Sequence, residues 1–227
     1  YTFCGCSTGD CPTLGCNPAA GSFNADLDPW DMASVTTTPR MFWYAHDFNS
    51  DVDSWNVASV TSMLEMFGYA DDFNRELGSW DVASVKSTMS MFSDASVFNS
   101  DLGSWDVASV TSTQSMFNSA SVFNADIDAW DVSSVTFMES MFSDAQAFNG
   151  DLGSWDVRNV TEMGYIFTHT TDPCSSCTAG CSTCVSGCTK ESIYISWIAQ
   201  NSLALAELSD IEHQDYEHGS DDWGAAV

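Results

Sequence analysis

A repeat solenoid is the fold class this sequence predicts, and three observations carry that reading. Phe23, Phe48, Phe73, Phe98, Phe123 and Phe148 stand 25 residues apart. Trp30, Trp55, Trp80, Trp105, Trp130 and Trp155 keep the same interval, and so do Phe42, Phe67, Phe92, Phe117, Phe142 and Phe167. No insertion or deletion interrupts the six copies between residues 21 and 170. A fixed period in this range marks coils that cannot each bury their own apolar side chains. Stacking sets like on like, so the core becomes an aromatic column, a Trp column and a Val column.

Each coil reads in a consistent order. "FNADI" (Phe123 to Ile127) alternates and is short, which predicts a parallel strand with Phe and Ile inward. Asp28, Asp53, Gly78, Gly103, Asp128 and Gly153 follow, residue types that tolerate a bend. Next come Asp31, Asn56, Asp81, Asp106, Asp131 and Asp156, whose side chains can accept backbone N–H bonds at the start of a helical turn. Val135, Met138, Phe142 and Ala145 then recur at helical spacing and predict one short helix or 3-10 segment per coil. Pro39 is expected to strain the first of these. A short strand plus a short helix in 25 residues is a leucine-rich-repeat-like coil.

The phrase F-N-x-D-[LI]-x-x-W-D-V-x-x-V-T-x-M-x-x-M-F-x-x-A, close to "FNGDLGSWDVRNVTEMGYIF" at Phe148 to Phe167, resembles the mycoplasma-lipoprotein-type surface repeat. That repeat is a relative of the BspA-like leucine-rich repeats of bacterial and microbial-eukaryote surface proteins. The similarity runs from about Gly21 to Thr170. Departures are Glu76 for Asp, Thr88 and Thr113 for Met, and "TTTPRMF" at Thr36 to Phe42. The resemblance implies an extracellular or cell-surface role in adhesion or matrix, and no catalytic activity.

Composition narrows the function classes. With 32 acidic residues against 5 Lys plus Arg the net charge is −27, which excludes phosphate-backbone recognition and disfavours anionic membranes. No run of 18 apolar residues predicts a transmembrane segment. The chain starts at Tyr1 with no signal-peptide pattern, which fits a processed chain. Four cysteines, Cys4, Cys6, Cys11 and Cys16, precede the array, and Cys174, Cys177, Cys181, Cys184 and Cys188 follow it. The division is therefore a Cys-rich N-terminal cap (1–20), the six-coil array (21–170), a Cys-rich module (171–190) and an apolar then acidic tail (191–227). Clustered cysteines flanking a Cys-free array predict disulfide-bonded ends outside the cell. A zinc knot is the alternative for Cys174 to Cys188, but three residues between its Cys pairs is a short loop for wrapping an ion. This piece resembles EGF-like or furin-like modules. Nine is odd, so at least one thiol is free or bonded to another chain.

Several columns invite a functional reading beside a structural one. Asp26, Asp51, Glu76, Asp101, Asp126 and Asp151 form an acidic ladder. Like charges about 4.8 Å apart cost roughly 0.8 kcal/mol per pair in water. Calcium bound by Asp101, Asp126 and Asp151 would offset this; the structural alternative is carboxylates that accept N–H bonds in turns and stay hydrated. The Asn24-to-Asn149 column reads as an asparagine ladder or a glycan-contacting strip. The Trp column reads as core or as a carbohydrate platform. Asn159-Val160-Thr161 is a glycosylation sequon, so the chain is expected to be a glycoprotein at Asn159.

"SIYISWIAQNSLALAEL" (Ser192 to Leu208) is apolar and off the repeat. It can cover the last coil or meet a neighbouring subunit. Ile193, Ile195, Trp197, Leu203, Leu205 and Leu208 are the expected assembly residues, because an uncapped repeat end tends to stack head to tail. The function expected is an extracellular structural repeat protein, a homo-oligomer or subunit of a filament, appendage or surface coat. The alternative is a cell-surface adhesin that binds glycan or protein through the array face. No enzyme and no cofactor is expected, unless the Asp column takes calcium.

Overall fold

The computed structural model describes residues 21–170 together with Ile193, Ser196, Trp197 and residues 199–201. Over 21–170 the chain forms six stacked coils, each one period of the sequence. Neighbouring coils are joined by isolated parallel bridges: Thr37 pairs with Ser62, Ser62 with Ser87, Ser87 with Ser112, Ser112 with Phe137, and Phe137 with Glu162.

The core is columnar. Phe48, Phe73, Phe98, Phe123 and Phe148 lie with successive ring centroids 5.7, 5.9, 6.1 and 5.9 Å apart. A second Phe column, Phe42 to Phe167, repeats at 5.4 to 5.8 Å. Where one coil passes into the next the two columns meet face to face, as Phe117 does with Phe123 at 3.8 Å. The indoles from Trp55 to Trp155 are buried, so this column is core and not an exposed platform. Each indole N–H donates to the carbonyl of the preceding coil, as Trp105 does to Leu77 at 2.9 Å and Trp130 to Leu102 at 3.0 Å. That bond satisfies the one polar atom a Trp brings into an apolar interior.

The polar columns hold the coils in register. Asn49, Asn74, Asn99, Asn124 and Asn149 each donate a backbone N–H to the Oδ1 of the preceding coil's Asn, at 2.7 to 3.1 Å. Asn124 and its equivalents therefore stay outward, and a side-chain carbonyl replaces the backbone carbonyl of a strand ladder. For that reason "FNADI" forms no strand, and the parallel bridges fall instead at the Ser112 position. Thr61, Thr111, Thr136 and Thr161 each bond the preceding coil's carbonyl twice, through N–H and Oγ1. Replacing Asn99 with alanine removes the acceptor for Asn124 N–H and is expected to cost about 1 kcal/mol in urea denaturation, the usual net worth of one such bond.

The predicted short helix is replaced by overlapping tight turns. In one coil Met116, Asn118 and Ala120 donate to carbonyls three residues back, Thr113, Ser115 and Phe117, at 3.0, 3.2 and 3.1 Å. The alternate amides leave the coil. Thr113, Ser115, Phe117 and Ser119 donate to Phe137, Glu139, Met141 and Ser143 of the next coil, at 2.7 to 2.9 Å. An α-helix would turn all of these onto its own carbonyls four residues back. The alternation requires positive φ at two positions per coil, and among the described residues twelve other than Gly adopt it, including Ser115 (53°) and Ser119 (58°). Each such residue costs roughly 1–2 kcal/mol. In the first five coils the inter-coil bond that its own N–H gains offsets that cost. Pro39 fits here without strain, because its neighbours Thr38 and Arg40 supply the inter-coil N–H bonds. Thr88 and Thr113 replace Met in the core, and their hydroxyls reach the next coil's carbonyls at 3.4 and 3.5 Å.

Candidate functional site

The acidic ladder is turned onto its own backbone. Asp101, Asp126 and Asp151 are exposed, and each Oδ1 accepts the N–H two residues on: Gly103 at 2.8 Å, Asp128 at 3.1 Å and Gly153 at 3.0 Å. Among the described residues no group of three or more His, Cys, Asp or Glu is arranged to hold a metal ion. Burial first, then the charges of Asp126 and Asp151, pushes the Asp128 carboxyl up from its ordinary value. At the last coil the side chain of Arg158 holds Asp156 down to about 2. Asn159 is exposed, and its Nδ2 donates to Ser133 O at 2.8 Å, so the sequon nitrogen already ties two coils together. All nine cysteines lie outside the described residues, as do Ile195, Leu203, Leu205 and Leu208.

Ile193 and Trp197 are placed, and of the two readings of this tail they follow the one in which it covers the last coil. Both are buried against the chain's own last coil. Trp197 stacks at 6.3 Å on Trp155 and at 6.0 Å on Phe167. Its indole N–H donates to Leu152 O at 3.1 Å, as each column indole does to the coil before it. The preceding Ser196 donates to Gly153 O at 2.6 Å, matching Ser104 to Gly78 O and Ser79 to Asp53 O at 2.8 Å. Gln200 then acts as a peptide group in place of the missing next coil. Its Oε1 accepts Val157 N–H and its Nε2 donates to Trp155 O, both at 3.2 Å. Asn201 Nδ2 bonds Val157 O at 2.9 Å and Val160 O at 2.7 Å. The tail therefore caps the array by imitating a coil. The signal was available in the sequence: Ser196-Trp197 repeats the dipeptide at Ser54-Trp55, Ser79-Trp80, Ser104-Trp105 and Ser154-Trp155.

A second feature lies on the outer face of the first coils. Arg40 forms an ion pair with Glu65, its guanidinium carbon 4.9 Å from the ring centroid of Trp43. Tyr44 and Tyr69 stack at 4.2 Å, and Trp43 meets Tyr44 edge-on at 4.5 Å. Burial, and after it the charge of Asp94, pushes the Tyr69 phenol up to about 12, so it stays protonated. Beside these rings opens a cleft of about 230 Å³. The period concealed it, since repeat reading looks for what is shared and this cluster is made of what is not.

These features define a stacked-repeat protein with a self-derived C-terminal cap. The chain belongs to the family described as "Mycoplasma protein of unknown function, DUF285", whose model matches residues 16–124 and again 100–178. No curated protein and no solved structure matched the chain. Among the described residues no helix is long and apolar enough to cross a membrane.

Proposed function

We propose that this chain is an extracellular structural repeat protein, a leucine-rich-repeat-like solenoid related to the BspA-like repeats, that acts as a stiff, acidic element of a surface coat or appendage. The observation that carries the reading is the sameness of the coils. Ring stacking, indole N–H bond, Asn bond and turn bond recur from coil to coil, so the array's length follows from copy number alone. Such a device sets a distance and resists bending. The role is non-enzymatic. A net charge of −27 keeps like elements from collapsing onto one another. Because Trp197 and Ile193 are engaged within the chain, assembly runs through the Cys-rich ends or the lateral faces and not through that pair.

Sedimentation velocity on the full chain, with and without reductant, tests this. The expected result is an ordered oligomer that forms without any added ligand and loosens when disulfides are reduced. A species that stays monomeric at every concentration and oxidation state, yet is retained on immobilised glycan or matrix protein, would replace this reading with that of an adhesin.

A further inference from the structure

In a repeat array, the outward positions that break the pattern mark what one particular chain does. The column of Arg40 continues as Glu65, Ser90, Ser115, Ser140 and Tyr165. The column of Trp43 continues as Gly68, Ser93, Asn118, Ser143 and Thr168, and that of Tyr44 as Tyr69, Asp94, Ser119, Asp144 and His169. The third to fifth coils carry only small polar or acidic side chains at these places. Aromatic rings and the Arg–Glu pair gather on the first two coils. Small residues are required beside them: a Cβ at Gly68 would stand 3.0 Å from Trp43 Cδ1, so Gly68 is what lets the indole lie across the second coil. Ser90 and Ser93 of the third coil complete the lining of the cleft.

We infer that this cleft, walled by Arg40, Trp43 and Tyr69, is a binding site for a single neutral sugar ring. Aromatic walls supply an apolar surface for ring C–H groups. The lining carries both kinds of hydrogen-bonding group, with guanidinium N–H as donor, Glu65 carboxylate as acceptor and Ser90 hydroxyl as either, which suits a polyol. The Arg40 charge is already balanced by Glu65, and the chain around it is strongly acidic, so an anion gains nothing here. At about 230 Å³ the cleft falls below the roughly 300–1,000 Å³ of pockets that take drug-sized ligands, and matches one ring rather than a long chain. This site is independent of the structural role proposed above, since it uses two coils and leaves the columns untouched.

The test is saturation-transfer NMR and calorimetry on the full chain. The probes are the methyl glycosides of glucose, galactose, mannose and N-acetylglucosamine, with choline and N-acetylneuraminic acid as charged comparators. At least one neutral glycoside is expected to receive transfer at its ring C–H protons, in preference to either charged probe. The variant Arg40→Ser, Trp43→Ser, Tyr69→Asp installs the residues found at Ser90, Ser93 and Asp94 in the third coil, so its fold is already represented in the array. It is expected to weaken binding at least roughly tenfold while melting with the parent. Should that variant melt early, Gly68→Ser decides instead, because the added atoms displace Trp43 and follow the column's own pattern. Tyr165→Ser, on the last coil, is expected to leave binding unchanged. The inference is overturned by absence of transfer to every neutral glycoside, by preference for choline or N-acetylneuraminic acid, or by affinity that survives the triple variant or, where it melts early, Gly68→Ser.

Discussion

Replacing Trp197 with alanine is expected to cost about 3–5 kcal/mol, the range for a buried large aromatic side chain. Its indole is fully buried, stacks on both Trp155 and Phe167, and gives its N–H to Leu152. Loss of the ring removes all of these at an end of the array, where no further coil covers the core. A domain's whole stability is only about 5–15 kcal/mol, so thermal denaturation should show a large drop in midpoint. A chain that stops before Ile193 should do worse than the point variant. It exposes the end faces of Trp155 and Phe167 and also loses the bonds from Ser196, Gln200 and Asn201. Repeat arrays need a polar terminal cover to stay soluble. Light scattering should therefore find aggregates in the truncated protein, and soluble, well-folded monomers would refute the capping role.

The columns were legible because a period needs no knowledge of conformation: Phe98 and Phe123 align by counting alone, and stacking at 6.1 Å follows. Local conformation was less legible. Met138, Met141, Phe142 and Ala145 are all buried, and their spacing of three or four residues is shared by a helix and by a run of tight turns. The clue that separates the two is positive φ, which usually announces itself through Gly or Asn. Here Ser140 (55°) and Asp144 (58°) take it instead, held by N–H bonds of 2.7 Å to Gly164 O and Thr168 O. Those partners are 24 residues away, so no local window contains the cause. The alternation at Phe123 to Ile127 suggests a strand that does not form, for a related reason. Alternation shows which side chains point inward, but not that Asn99 Oδ1 will replace a backbone carbonyl as the partner. The cap was hidden by its distance: Trp197 follows Trp155 by 42 positions and so falls off the 25-residue count, although its Ser-Trp dipeptide repeats that of the coils.

In the middle of the array, Phe117→Ala is expected to produce a second large effect of a different kind. Phe117 is fully buried and lies at 5.7 Å from Phe92, 5.8 Å from Phe142 and 3.8 Å from Phe123, with Trp130 at 6.4 Å. Its neighbours are themselves held in columns, by indole bonds and inter-coil amides, and cannot move in to fill the hole without breaking register. The loss should therefore sit near the upper end of the about 3–5 kcal/mol expected for a buried Phe. The position adds a consequence that an end coil lacks. Each coil contacts only its neighbours, so stability is a sum of coil and interface terms, and a weak central interface uncouples what lies on either side. The three coils from residue 21 and those that end at the Trp197 cap should then unfold in separate steps. Denaturant titration should show a lower m-value or a resolved intermediate, because m follows the surface exposed in each step. Phe42→Ala, in the first coil, should lower the midpoint while the transition stays single. If Phe117→Ala lost less than about 1 kcal/mol and kept the parent's m-value, the columns would be tolerating a hole by collapse, and register held by the polar ladders would not be what keeps the rings in place.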